Sequence, residues 1–212
     1  MRKLVTISRE YGSGGRLIGR LVAEKMGLPF YDREIIDMAV EKSGLSHEVI
    51  ETAELRAKSS ISYSLASVMP FGEMFSTEAM SINEKLFMTQ FDVIRQIGET
   101  DEGVIIGRCA DYVLRDLPGV TNIFIYAEFE DRVKRCVESY GDDPATVETK
   151  IRDYDKARAN YYNFHTSQKW GQYSNYNLAL NTSYISDEKA ADLIVEFMNT
   201  RIYKDQAEKP EV

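Results

Sequence analysis

Two hydrophobic rhythms alternate along this chain, and each change of rhythm marks an element. The β-branched, mostly apolar run Leu4-Val5-Thr6-Ile7 reads as a buried strand. From Arg16 to Met26 the apolar positions Leu17, Ile18, Leu21 and Val22 recur at helical spacing, and Gly27 supplies the stop. Leu28-Pro29-Phe30-Tyr31 predicts a short strand. Asp32 can then cap a helix lined by Ile35, Ile36, Ala39 and Val40 and ended by Gly44.

From Leu45 to about Gly98 there is no strand pattern. Met69-Pro70-Phe71-Gly72 interrupts this region, and Ser81-Ile82-Asn83-Glu84 has the form of a capping box. The helix it opens carries Leu86, Phe87, Phe91, Ile94 and Ile97 on one face, a stripe that reads as core. Strand patterns return at Gly103-Val104-Ile105-Ile106-Gly107, at Thr121 to Tyr126 and at Leu178-Ala179-Leu180-Asn181. Between them lie a helix from Phe129 to Tyr140 and another starting at Pro144 with Asp143 as its cap. Ser186 caps a last helix to about Tyr203, and the polar tail Lys204 to Val212 is expected to fray. Strands separated by helices pair in parallel, so the pattern predicts an α/β fold with a doubly wound parallel sheet. Ligands of such sheets bind at the carboxyl ends of the strands.

Composition narrows the function classes. With 212 residues, 43% of them hydrophobic and 28% charged, the chain suits one globular domain. A net charge of -8 argues against a general nucleic-acid binder but leaves room for a local basic pocket. No segment approaches the roughly 20 apolar residues of a membrane span, and the first apolar run is too short for a signal-peptide core. Cys109 and Cys136 have neither metal-ligand nor redox spacing and read as packed thiols. The expectation is a cytoplasmic protein without membrane or nucleic-acid partners. Met69, Phe71, Met74 and Phe75 fall in a weakly patterned stretch that suits either a mobile segment or a homodimer contact.

The chemistry concentrates at Gly12-Ser13-Gly14-Gly15-Arg16, where the first strand passes into the first helix. A phosphate-binding loop is built in this order, because glycines let backbone N–H groups turn inward beside the positive end of the helix dipole. Against G-x-x-x-x-G-K-[ST], Gly15-Arg16 stand at the Gly-Lys pair, Glu10 at the first glycine and Leu17 at the hydroxyl. A glycine-rich turn without a ligand is the plain alternative. A nucleophilic Ser13 would need a nearby base, and the histidines, His47 and His165, offer no such context.

Two further features point the same way. Arg108 directly follows a strand, where its planar fork suits a phosphate. The segment from Lys150 to Tyr162 packs Lys150, Arg152, Lys156 and Arg158 into an otherwise acidic chain, with Asp155 and Arg158 on one helix face. A solvated face laced with ion pairs is the plain reading of that segment. Together the loop, the strand-end arginine and the basic helix supply the cations that phosphoryl transfer gathers around the moving phosphate.

The segments Ile7-Ser8-Arg9-Glu10-Tyr11-Gly12-Ser13-Gly14-Gly15-Arg16, Pro29-Phe30-Tyr31-Asp32 and Ile106-Gly107-Arg108-Cys109-Ala110-Asp111-Tyr112 resemble the cytidylate-kinase-like family of P-loop proteins, within the nucleoside monophosphate kinase superfamily. So do Tyr161-Tyr162 and Tyr176-Asn177-Leu178-Ala179-Leu180-Asn181-Thr182-Ser183. The resemblance implies transfer of the γ-phosphate of ATP to CMP or dCMP with magnesium. It implies a core over 1–32, 99–140 and 166–205, an NMP-binding insertion over 33–98 and a lid over 141–165. Gly12, Ser13, Gly14, Gly15 and Arg16 would cradle the donor phosphates, and Arg16 would be catalytic. Arg108, Asp111 and Asp32 would meet the acceptor. Lys156 and Arg158, in Asp155-Lys156-Ala157-Arg158-Ala159, would close over the transferring group, with Arg152 a weaker lid candidate.

Several positions depart from the family pattern. Arg16 replaces the lysine, no hydroxyl follows it, Cys109 replaces an aspartate, and Ile106 stands where an acidic residue is usual. Ser8 or Ser13 could supply the missing hydroxyl and Asp111 the carboxylate. Three functions stay open: a nucleoside monophosphate kinase, a nucleotide-binding regulator that has lost catalysis, and a kinase with a non-nucleotide acceptor.

Overall fold

The structure, a computed structural model, describes residues 3–32, 34–43 and 82–200. Its strands are β1 (Leu4–Arg9), β2 (Phe30–Tyr31), β3 (Gly103–Ile106), β4 (Val120–Tyr126) and β5 (Leu178–Asn181). They pair in parallel in the order β2-β3-β1-β4-β5. The chain leaves β1 for β2 on one side, but leaves β3 for β4 on the other. The crevice between the carboxyl ends of β1 and β3 is therefore the switch point where doubly wound sheets bind ligands. The register Ile7 opposite Ile106 brings the residues after each strand, from Ser8 and from Gly107, side by side.

The helices are α1 (Gly15–Met26), α2 (Glu34–Ser43), α3 (Ile82–Thr100), α4 (Ala110–Val113), α5 (Phe129–Tyr140), α6 (Val147–Thr166) and α7 (Asp187–Thr200). Strand side chains alternate between the two faces, so each face has its own core. On one, Val5, Ile7, Val104, Ile106, Ile123 and Ile125 pack against Ile18 and Val22 of α1 and Ala191 and Ile194 of α7. On the other, Leu4 and Ile105 meet Ile35 of α2, Val93, Ile94 and Ile97 of α3 and Val113 of α4. Each fully buried aliphatic side chain contributes about 1.5–3 kcal/mol, so the sheet is a rigid platform for the loops at its carboxyl edge.

Four local expectations need correction. β1 runs two residues past Ile7, because Ser8 and Arg9 keep pairing with Phe124 and Ile125 of β4. Leu17, expected on the inner face of its helix, is 50% exposed at the mouth of the glycine loop. The helix expected from Pro144 begins at Val147. Asp143 instead heads a turn, its Oδ1 accepting the Ala145 N–H at 2.9 Å and its carbonyl the Val147 N–H at 3.0 Å. The short α4 is an element the sequence pattern did not predict. Ser186 does begin the last helix, its Oγ accepting the Lys189 N–H at 3.3 Å. Gly44, the Met69-to-Phe75 stretch, Ser81 and the tail from Lys204 lie outside the described residues. Among the described residues no helix is long and apolar enough to cross a membrane, and Cys109 and Cys136 are free and buried.

Candidate functional site

Between β1 and α1 the chain must reverse within five residues, and glycine makes that affordable. Gly12 and Gly14 both take φ of 81°, in the left-handed region that side chains resist. The loop is pinned from beneath. The Ser13 hydroxyl donates to the Glu10 carbonyl at 2.9 Å, and the Thr182 hydroxyl donates to the Ser13 carbonyl at 2.8 Å. Glu10 ties the loop to β4, its carboxylate accepting the Ala127 N–H at 3.2 Å. Gly14 caps α1 without a side-chain hydrogen bond. The first N–H groups of that helix therefore open onto the cleft with the positive end of its dipole. The cleft measures about 560 Å³ and is lined by the loop, Arg9, Arg16, Leu17, Arg20, Tyr140 and Arg158.

Arginines converge on this cleft. Arg9 is the last residue of β1, and Arg158 of α6 reaches across to donate from Nη1 to its carbonyl at 3.0 Å. Arg16, in the first turn of α1, donates from Nε to Asp32 at 2.5 Å, just past β2. Arg108 follows β3 in a run of left-handed residues, with φ of 69° at Gly107, 57° at Arg108 and 55° at Cys109. Each non-glycine member of that run costs roughly 1–2 kcal/mol, strain of the kind that gathers at binding sites. Desolvation, then the charge of Arg158, push the Arg9 pKa down to about 9, with Arg108 and Arg16 adding to the effect and Asp32 opposing it. Burial likewise lowers the pKa of Arg158, against the pull of Asp155. Arg16 pairs with Asp32, and Arg158 lies 3.8 Å from Asp155. Yet Arg9, Arg16, Arg20 and Arg158 line the cleft beside a single lining carboxylate, Glu10, and this excess of cations makes a site for an anion.

Helix α6 is docked onto the loop. Asp155 accepts the Tyr11 N–H at 2.7 Å and pairs with Arg132 of α5, which also faces Glu10 at 3.5 Å. The Tyr11 ring lies 4.5 Å from that of Tyr154, and its hydroxyl donates to Asp142 at 3.3 Å. Asp142 in turn pairs with Lys150 at 2.5 Å.

The structure therefore brings Gly12, Gly14, Gly15, Arg16 and Arg158 together at the cleft, with Ser13 buried beneath it. Arg108 stands close enough to act on the charge of Arg9. Asp32 is held behind Arg16. Asp111 is buried and accepts the Tyr162 hydroxyl at 2.6 Å, and desolvation raises its pKa. Lys156 is exposed and does not line the cleft. Arg152 also lies outside the lining, its guanidinium 4.1 Å from the Phe129 ring centre and 3.6 Å from Glu148. Sequence reasoning missed Arg9, although the argument that picked out Arg108, a cation at a strand's carboxyl end, applies to it equally.

The donor set does not fit a magnesium ion held by the protein. Leu17 offers no hydroxyl, and those of Ser13 and Ser8 are buried beneath the loop and in β1. Glu10, Asp32, Asp111 and Asp155 each already meet a cation, an amide or a hydroxyl. Among the described residues no group of three or more His, Cys, Asp or Glu side chains could hold a metal.

A family-level comparison matches residues 4–184 to the cytidylate kinase-like family, a span that includes the loop, Arg108 and the whole of α6. The chain belongs to that family. Among solved structures it is similar to an uncharacterized protein from Eubacterium ventriosum, with 25% identity and a TM-score of 0.69 over 94% of this chain and all of that one. A shikimate kinase from Acinetobacter baumannii shares 15% identity at a TM-score of 0.52, over 94% of both chains. A shikimate kinase from Bacteroides thetaiotaomicron shares 14% at 0.52, over 93% of this chain and 98% of that one. At such identities these two show the fold alone, which is that of P-loop kinases. No curated protein sequence matches the chain.

Proposed function

We propose that this chain is a kinase that transfers the γ-phosphoryl group of a nucleoside triphosphate, ATP in the first instance, to a small anionic acceptor. The observation that carries the reading is the convergence of Arg9, Arg16 and Arg158 on the mouth of a glycine loop that opens a helix. Phosphoryl transfer needs positioning and cations around the equatorial oxygens more than it needs covalent chemistry. The α1 N-terminus would hold the donor phosphates, and Arg158 would stabilise the charge of the moving group. An acceptor that is already an oxyanion attacks phosphorus as the bond to the bridging oxygen breaks, so no general base is required. CMP or dCMP is the first acceptor to test, on family grounds. Cys109 replaces the usual aspartate, so the acceptor panel covers the other nucleoside monophosphates as well.

A specific observation favours a second reading, a nucleotide-binding regulator. Leu17 exposes hydrocarbon where a hydroxyl is usual, and Asp32 neutralises Arg16. The test is ADP release from ATP across nucleoside monophosphates and small non-nucleotide hydroxy-acids and sugars, for wild type and Arg158→Ala. Acceptor-dependent ADP that collapses in the variant establishes the kinase and names the acceptor class. Thermal stabilisation by ATP with no turnover on any acceptor sinks the kinase reading and leaves the regulator.

A further inference from the structure

Arg9 occupies an unusual path. A Cβ placed on Gly15 would lie 2.6 Å from the Arg9 Cβ and 3.0 Å from its Cγ. A Cβ on Gly107 would lie 2.1 Å from the Arg9 Nη1. Both separations are shorter than carbon and nitrogen atoms tolerate, so each glycine is a clearance. The stem of Arg9 passes over the first residue of α1, and its guanidinium comes to rest against the turn after β3. Only Gly107 of the pair has a positive φ, 69°, so backbone conformation does not explain Gly15. Space does: Arg9 and, at 3.3 Å, the Ile125 Cβ leave no room for a side chain there.

We infer that Arg9 is the cation of this phosphate loop, supplied from the end of β1 across Gly15 in place of the residue that follows the last glycine. The inference rests on the proposed binding of a polyphosphate donor in this cleft. An ordinary loop places a lysine directly after its last glycine, where its stem reaches the β- and γ-phosphates. Here that position holds Arg16, which is bonded to Asp32. The guanidinium of Arg9 lies over the switch-point crevice, flanked by Arg158 and within reach of the charge of Arg108. Its planar fork can bind two phosphate oxygens at once, which a lysine cannot do. It also brings fixed charge to a cleft whose carboxylates are already engaged. The depressed proton affinity of Arg9 agrees with a cation held ready for an anion.

The test is calorimetric titration of the full chain with inorganic tripolyphosphate and with ATP, run beside the acceptor-dependent ADP assay. Arg9→Gln keeps the stem over Gly15 but removes the charge. It is expected to weaken tripolyphosphate binding by roughly 10- to 100-fold, the worth of a charge-assisted contact. Arg9→Lys should recover part of that loss. Circular dichroism checks that each variant folds. If folded Arg9→Gln binds tripolyphosphate as wild type does, the assignment is overturned. Arg9-dependent binding without ADP release on any acceptor would sink the kinase reading and leave Arg9 standing. Turnover that survives Arg9→Gln intact would do the reverse.

Discussion

Asp155 of α6 accepts the backbone N–H of Tyr11 at 2.7 Å, joining residues 144 positions apart and fastening the helix to the phosphate loop. The same carboxylate pairs with Arg132, and both side chains are largely shielded, at 17% and 10% exposure. Asp155→Ala leaves this buried guanidinium with only the Glu10 carboxylate, at 3.5 Å, and is expected to cost up to about 3–5 kcal/mol in urea titration. Asp155→Asn keeps an acceptor for the Tyr11 amide and should cost less. A loss below about 1 kcal/mol for the alanine variant would mean the pair is solvated and does not fasten α6.

Gly14 carries a different burden. A Cβ there would lie 2.1 Å from Arg135 Nη1 and 2.8 Å from Asp187 Oδ1, two groups that pair at 2.6 Å between α5 and α7. Gly14→Ala must also hold φ of 81°. Overpacking of about 1–3 kcal/mol adds to left-handed strain of roughly 1–2 kcal/mol. The variant should melt lower and lose tripolyphosphate binding, because the amides that frame the cleft shift with the loop. A folded variant with unchanged binding would show that the loop backbone does not hold the anion.

The fold was legible because its strands are nearly continuous apolar runs and its helices show clean faces. That pattern follows from a parallel sheet covered on both sides. The glycine loop was equally plain, since glycine clusters at a strand-to-helix junction have few other uses. Arg9 was not, for a physical reason. Ile7 is the last apolar residue of β1, so the hydrophobic pattern ends there, while backbone pairing continues to Arg9. A strand end that leaves the core carries no hydrophobic mark. Resemblance ranks Arg152 below Arg158, but the residues alone could not place either of them, for a similar reason. They lie six residues apart on one helix, and only the docking of α6 against β1 and α5 decides which of them faces the cleft. The exposure of Leu17 was hidden too, because helical spacing cannot tell an inner face from the rim of a cleft.

Burial and stacking set a pH dependence away from the cleft. His165 stacks on Phe87 with ring centres 3.9 Å apart, and burial lowers its pKa from 6.5 to about 4, with Glu84 opposing. The unfolded chain takes up a proton at this site before the folded one does. Stability from this site is therefore complete above pH 6.5 and is lost as pH falls toward 4. His165→Phe should flatten that part of the profile. Urea midpoints of the two proteins compared between pH 7 and 5 test it, and parallel profiles would show that His165 stays solvated.

The sharpest kinetic contrast is between Arg158 and Arg152. Arg158 is held over the cleft by its bond to the Arg9 carbonyl at 3.0 Å, whereas Arg152 pairs at the surface with Glu148 at 3.6 Å. A cation that meets charge appearing only in the transition state lowers the barrier without adding to ground-state binding. Arg158→Ala should therefore reduce kcat by about 10³-fold or more, in the range of arginines that stabilise a transferring phosphoryl, with a small change in the KM for ATP. Arg152→Ala should leave both constants near wild type. Arg16→Ala should fall between them and act mainly on the KM, because Asp32 already draws its charge to one side. Steady-state kinetics on the acceptor that first gives turnover decide the order. If Arg152→Ala proved as damaging as Arg158→Ala, α6 would have to turn during the reaction, and the cleft would have to be rebuilt around the other face of that helix.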